Sequence, residues 1–270
     1  MKKAVVFYGS MRELEMGSKS WHILGEDVDY FLVTWGDVVN NHYTDTSGST
    51  RPFDLSMFPL PIKGSITPNF AELNQSLDNV DIPKIGMIYI LYHWSLVGLL
   101  SEIHTYDKII IARPDMFCAN ITGRSWDPKV QPGKVAFSGD PVTSEVHGVG
   151  DWIITTDPKG LSALYDLYHD AIKTRDFLNE SGEAKIIHHY LHEKIKSNPE
   201  KFHYGMEVPV MVLVRPNYPK AWLKMPYGQL LAYLLVRHAL EYEARLQNDN
   251  TISVDEKTIQ TLMLTDFRIQ

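Results

Sequence analysis

Apolar residues fall along this chain in short dense runs separated by glycine, proline and polar stretches, the pattern of buried strands alternating with helices. Residues 4–8, Ala-Val-Val-Phe-Tyr, follow two lysines and end at Gly9, which predicts a first buried strand entering a tight loop. Residues 12–24 mix charged and apolar positions as a helix does, and 29–35 form a second strand closed by Gly36. Strand, glycine loop, helix and strand together open a right-handed parallel βαβ unit. Residues 38–79 are rich in Asn, Thr, Ser, Gly and Pro, so they read as an extended loop with one short helix at 68–77. Loops of that length inside a compact domain are often lids or binding loops, the alternative being a plain insertion.

Ile90, Leu91, Trp94 and Val97 recur at helical spacing and predict a helix over 85–104, packed under the sheet. The β-branched run 109–111 then reads as a strand covered on both faces. Pro114 cannot donate to a ladder, so that strand must stop near Arg113. Arg113 and Asp115 therefore fall at the carboxyl end of a central strand, where open α/β sheets bind their ligands. Further strands are expected at 135–138, 152–155 and 208–214, and helices at 161–172, 183–196 and 227–246. The fold class is α/β, with a mostly parallel central sheet flanked by helices in one domain over 1–247. Residues 248–270 form a polar tail that docks on it.

Composition narrows the function. A hydrophobic content of 44% supports a real core, and a net charge of −7 offers no global basic surface for nucleic acid or anionic membrane. The single cysteine, Cys118, excludes an internal disulfide and, with no leader, points to the cytoplasm. The most apolar window, 85–100, is shorter than the ~20 residues of a membrane span and contains His93, so it is a buried helix.

The loop Tyr8-Gly-Ser-Met-Arg12 has one glycine where a dinucleotide fingerprint has a spaced set, and it lacks the Gly-Lys-Ser/Thr of a phosphate-binding P-loop. It can still bring backbone amides and Arg12 to a nucleotide. At the 109–111 strand end an acid can hold a divalent cation and a guanidinium can pair with phosphate oxygens; the plainer reading is that the two face water or pair with each other. His188 and His192 share one helix face at metal-ligand spacing, but position 189 is histidine where zinc proteases carry glutamate, so a solvated face is the simpler account.

Taken in order, Gly9-Ser-Met-Arg12, Val33-Thr-Trp35 with Asp37, and Tyr106-Asp107 through Arg113-Pro-Asp115 resemble the nucleotide-sugar-dependent glycosyltransferases of GT-A type, especially lipopolysaccharide and capsule sugar transferases. Tyr92-His93-Trp94, Gly150-Asp151-Trp152 and Asn179-Glu180-Ser-Gly-Glu183 are similar to later segments of that family, and the resemblance spans residues 3–195. It implies that Gly9, Ser10, Arg12, Trp35, Asp37, Tyr92, His93 and Arg113 hold a nucleoside diphosphate sugar. It also implies that Asp151 or Glu183 serves the acceptor.

The family's Asp-x-Asp stands here as Arg113-Pro114-Asp115. Asp115 then ligates Mn²⁺ or Mg²⁺ alone with the donor diphosphate, or Arg113 neutralises the diphosphate and no metal is needed. The acceptor is a growing glycan or, in a phage-type enzyme, a hydroxymethylated DNA base reached by base extrusion. A nucleotide-sugar-binding protein without turnover and a nucleotide hydrolase are the rivals.

Overall fold

The computed structural model describes residues 1–11, 17–36, 42–44, 50–52, 54–119, 127–142, 144–205 and 210–213. Its strands are β1 Lys3–Tyr8, β2 Val28–Val33, β3 His42–Thr44, β4 Thr50–Pro52, β5 Ile62–Ile66, β6 Lys108–Ala112, β7 Met116–Ala119, β8 Val135–Ser138, β9 Gly150–Thr156, β10 Phe202–Gly205 and β11 Val210–Leu213. The α-helices are α1 Phe70–Asn79, α2 Gly86–Leu96, α3 Ser144–His147, α4 Leu161–Thr174 and α5 Ile187–Ser197. The expected helix at 227–246 and the tail at 248–270 lie outside the described residues.

Seven strands form one sheet in the order β10-β8-β9-β6-β1-β2-β5. The β1–β2, β1–β6, β2–β5 and β8–β10 pairs are parallel, whereas β9 runs antiparallel to both β6 and β8. This is the mostly parallel, helix-flanked α/β sheet expected from the sequence. Its continuous apolar runs follow from burial on both faces. In β1, Val5 and Phe7 join Trp21, Phe58 and Ile110 on one face, while Ala4, Val6 and Tyr8 join α2 and α4 residues on the other.

Several elements depart from the sequence reading. Residues 62–66 lie in the stretch read as loop, yet they form β5, the edge strand beside β2. Its residues alternate between half-buried and exposed, and Gly64 and Ser65 gave it a loop-like composition. The helix expected over 85–104 ends at Leu96, and two 3-10 turns, Val97–Leu99 and Ile103–Thr105, carry the chain to β6. Residues 18–24 are a 3-10 helix, and 12–16 lie outside the described residues. The helix expected from 183 starts at Ile187, because Asn179 accepts from the Glu183 amide and ties 179–183 into a turn. After Pro114 the chain enters β7, which pairs antiparallel with β11 in a separate two-stranded sheet.

Candidate functional site

The strand order reverses between β1 and β6, and a parallel sheet opens a crevice at the carboxyl ends of such strands. Phe7 stands opposite Ala112 in the register, so the residues after each strand, Tyr8-Gly9-Ser10 and Arg113-Pro114-Asp115, emerge side by side. Tyr8 stands opposite Val33 on the other flank, which brings Trp35 to the same edge. The antiparallel direction of β9 matters equally: its amino-terminal end lies at this carboxyl edge, where the Arg113 amide donates to the Trp152 carbonyl at 3.2 Å. Asp151 thus reaches the site from the start of a strand.

Gly9 sits at φ +84°, a conformation that glycine adopts without steric cost and that turns the chain sharply at the end of β1. Its amide donates to the Val33 carbonyl at 3.0 Å, and Thr34 Oγ1 donates to the Gly9 carbonyl at 2.8 Å. Gly17 supports the opposite turn: a Cβ there would stand 2.2 Å from the Pro114 carbonyl oxygen, so only a glycine backbone fits against the Arg-Pro-Asp segment.

These elements enclose a cleft of about 350 Å³ lined by Tyr8, Gly9, Ser10, Trp35, Phe70, Gly86, Tyr89, Ile90, His93, Arg113, Pro114 and Asp115. Gly9, Ser10, Trp35, His93, Arg113 and Asp115, each singled out in the sequence, line this one cavity. Tyr92 lies behind the wall, near-parallel to Trp35 at 6.2 Å between ring centroids and 5.4 Å from Tyr168. Arg12 and Asp37 lie outside the described residues. Glu183 is exposed in the 179–183 turn, bonded to Asn179 and Ser181, and is not part of the cleft wall. Phe70 and Tyr89 were not singled out, and Tyr8 was named only as the residue that opens the Gly9 loop, since aromatic residues on strands and helices are by default core. Their only signal was proximity in sequence to Gly9, Pro68 and His93.

One wall is aromatic. Trp35 meets Phe70 edge-on at 4.9 Å, Tyr89 at 6.0 Å and His93 at 4.2 Å. The other wall is polar, and its centre is a pair: Arg113 Nε donates to Asp115 Oδ1 at 3.0 Å and Nη2 donates to Oδ2 at 2.8 Å. Such a two-point contact fixes the guanidinium plane as well as its position. Burial alone would make Arg113 less basic, but the neighbouring Asp115 carboxylate outweighs it and holds the guanidinium charged.

Asp151 stands behind this pair with only 3% of its surface exposed. Burial pushes its carboxyl above the usual range, against the opposing pull of Arg113 and His188. The Tyr8 hydroxyl donates to the Asp151 backbone carbonyl at 2.6 Å, tying β1 to β9, and burial raises that phenol well above its ordinary value. His188 Nδ1 lies 2.8 Å from the Val149 carbonyl, which can only accept, and 3.9 Å from Asp151 Oδ1. His192 instead meets the Tyr204 hydroxyl at 3.0 Å and Glu145 at 3.5 Å, so the two histidines do not share a ligand. Nor is their face simply solvated, since His192 is buried.

His93 is 1% exposed, and its Nδ1 lies 2.7 Å from the Tyr89 carbonyl. The carbonyl requires a proton on Nδ1, which leaves Nε2 a bare acceptor without a partner among the described residues. Burial lowers the His93 pKa to about 4, so the ring is neutral at physiological pH.

The donor groups here do not suit a divalent cation. Among the described residues no three His, Cys, Asp or Glu side chains gather, both Asp115 oxygens are engaged by Arg113, and Asp151 is buried behind that pair. What the residues offer an incoming ligand is a guanidinium, the Gly9-Ser10 turn and an aromatic wall.

Fold and site together define an α/β protein with a ligand cleft at the switch point of its sheet. No family model matches the sequence, and no curated protein matches it. Among solved structures the chain is similar to mouse xyloside xylosyltransferase 1 in its apo form, at 10% identity over 75% of this chain and 84% of that one, with a TM-score of 0.42. It is also similar to galactosyltransferase LgtC in complex with donor and acceptor sugar analogues, at 14% identity over 62% of this chain and 65% of that one, with a TM-score of 0.37. No helix among the described residues is long and apolar enough to cross a membrane.

Proposed function

We propose that the cleft binds a nucleoside diphosphate sugar and transfers the sugar to a hydroxyl acceptor. The observation that carries this reading is the convergence of a charged, oriented guanidinium with the Gly9-Ser10 turn and the Trp35 wall in one cavity at the carboxyl edge of β1 and β6. A planar base suits the aromatic side, and a diphosphate suits the Arg113 side. Of the segments that resemble GT-A transferases, Gly9, Ser10, Trp35, His93, Arg113 and Asp115 line this cavity.

In this reading the bond from the anomeric carbon to the diphosphate oxygen breaks as a bond to the acceptor oxygen forms. Negative charge grows on the leaving diphosphate, and Arg113 stabilises it in a setting partly screened from water. The acceptor proton passes to a carboxylate, and Asp151, which Arg113 and His188 pull toward the ionised form, is the acid assigned to it. Because Asp151 lies behind the cleft wall, Asp151→Asn is a sharp test: turnover falls while donor binding stays if the assignment is right.

The function is tested by thermal-shift screening against nucleoside diphosphate sugars, followed by product analysis with glycan and hydroxymethylated-DNA acceptors. Stabilisation by one donor follows from linkage, about 2.7 kcal/mol at a hundredfold excess over Kd. Binding without transfer to any acceptor would favour the non-catalytic rival, and no binding would remove the reading altogether.

A further inference from the structure

We infer that Asp115 is a positioning residue for Arg113, and that the cleft grips a diphosphate through the guanidinium's free edge with no divalent cation. The inference rests on the transferase reading for the identity of the full ligand, but its own content is the chemistry of the Arg113 and Asp115 pair.

An arginine carries five N–H donors, on Nε, Nη1 and Nη2. Asp115 takes one from Nε and one from Nη2, at 3.0 and 2.8 Å, which is the side-on edge of the group. Three donors remain, two on Nη1 and one on Nη2, and the Nη2 donor with one of the Nη1 donors forms the second, end-on fork. A fork of that shape matches two oxygens of a phosphate as well as it matches a carboxylate. Held in one plane by Asp115, Arg113 presents this fork without having to order a flexible side chain when the anion arrives, which favours binding.

Charge order supports the same conclusion. An anion on the free fork meets the guanidinium directly and lies farther from Asp115, so the cation is the nearer charge and attraction prevails. The same arrangement argues against Asp115 as a cation ligand, since a metal would have to displace two charge-assisted hydrogen bonds from a carboxylate that is 6% exposed. The Gly9-Ser10 turn and Gly86 line the same cleft as Arg113 and Asp115. Gly86 opens α2, whose cap residue Ile85 lends no side-chain hydrogen bond to the first-turn amides. The Gly9 amide is already given to the Val33 carbonyl, so the guanidinium fork is the principal donor to the anion.

The test is calorimetric titration of inorganic pyrophosphate into the full chain in excess EDTA, repeated with Mn²⁺ and with Mg²⁺. The expected result is binding in EDTA, with a Kd that changes less than threefold on adding either cation. Arg113→Lys keeps the charge and loses the fork, and its affinity falls at least fivefold; Arg113→Gln loses more than tenfold. Asp115→Asn, which retains one acceptor for Nε or Nη2, falls between wild type and Asp115→Ala, a graded response that a merely structural acid would not give among variants with equal circular dichroism.

Binding that appears only with a cation, is lost in Asp115→Asn and survives in Arg113→Gln would overturn the inference, and so would no pyrophosphate binding under any condition. If a substitution prevents folding, the cation comparison on the wild type still decides. Cation-free pyrophosphate binding with no response to any nucleoside diphosphate sugar leaves this inference standing and removes the transferase reading. A sugar donor that binds only with Mn²⁺ does the reverse.

Discussion

His93 gives the sharpest prediction about stability, because its burial makes folding sensitive to a single proton. In the unfolded chain a histidine titrates near 6.5, whereas in the fold burial lowers His93 to about 4. A depressed folded pKa means that the stabilising effect is complete above the unfolded value and is lost as pH falls toward the folded one. Between those values the unfolded chain binds a proton that the native ring refuses. From this one group the linkage relation gives a loss of about 2 kcal/mol by pH 5 and about 3 kcal/mol by pH 4. Carboxylates titrate in the same window, so the quantity to measure is a difference. Urea unfolding of wild type and His93→Gln, at half-unit steps from pH 7.5 to 4.5, isolates the histidine. The wild type should lose about 2 kcal/mol more than the variant between pH 7 and pH 5. Parallel stability curves for the two proteins would refute the reasoning, since they would mean that the imidazole is reached by water or paired with an acid.

Asp115→Ala removes both acceptors of the Arg113 pair and leaves a largely buried cation uncompensated, which should destabilise the fold by about 3 kcal/mol in chemical denaturation. Gly17→Ala drives a methyl group into the Pro114 carbonyl and should cost about 3 kcal/mol while weakening pyrophosphate binding, because the Arg-Pro-Asp turn must move. Tyr8→Phe deletes the hydroxyl that joins β1 to β9 and should cost about 1 kcal/mol, a much smaller change, by the same assay. Trp35→Ala should weaken binding of a nucleoside diphosphate more than tenfold and that of pyrophosphate far less, since only the former presents a ring to the aromatic wall.

The carboxyl edge of the sheet was legible because Gly9 follows directly on a dense apolar run and Pro114 follows another after Arg113 alone. Pro114 stopped β6 where expected and so located Arg113 and Asp115, and Gly9 did the same for β1. β5 was not legible, since an edge strand needs only one half-covered face, and its Gly64 and Ser65 look like loop residues. The direction of β9 was equally hidden: apolar alternation reports burial and not orientation, although orientation is what brings Asp151 to the cleft.

Tyr8, Phe70 and Tyr89 line the cavity, but in sequence Tyr8 and Tyr89 are ordinary members of apolar runs and Phe70 an ordinary apolar position of a mixed helix. The spacing of Arg113 and Asp115 allowed a free acid, a metal ligand or an internal pair, and only coordinates show the two-point contact. Glu183 shows the reverse relation, a motif similar to an active-site segment that folds into an exposed Asn179–Glu183 turn outside the cleft lining.

The central claim is that Arg113 receives the diphosphate of an activated sugar. A crystal structure of the protein with a bound nucleoside diphosphate, grown in EDTA, tests it most directly. The account predicts phosphate oxygens within hydrogen-bond distance of Arg113 Nη1 and Nη2, the Arg113 and Asp115 contact intact, and the base against Trp35. A diphosphate seated elsewhere, or Asp115 swung away from Arg113 to meet a different group, would contradict it.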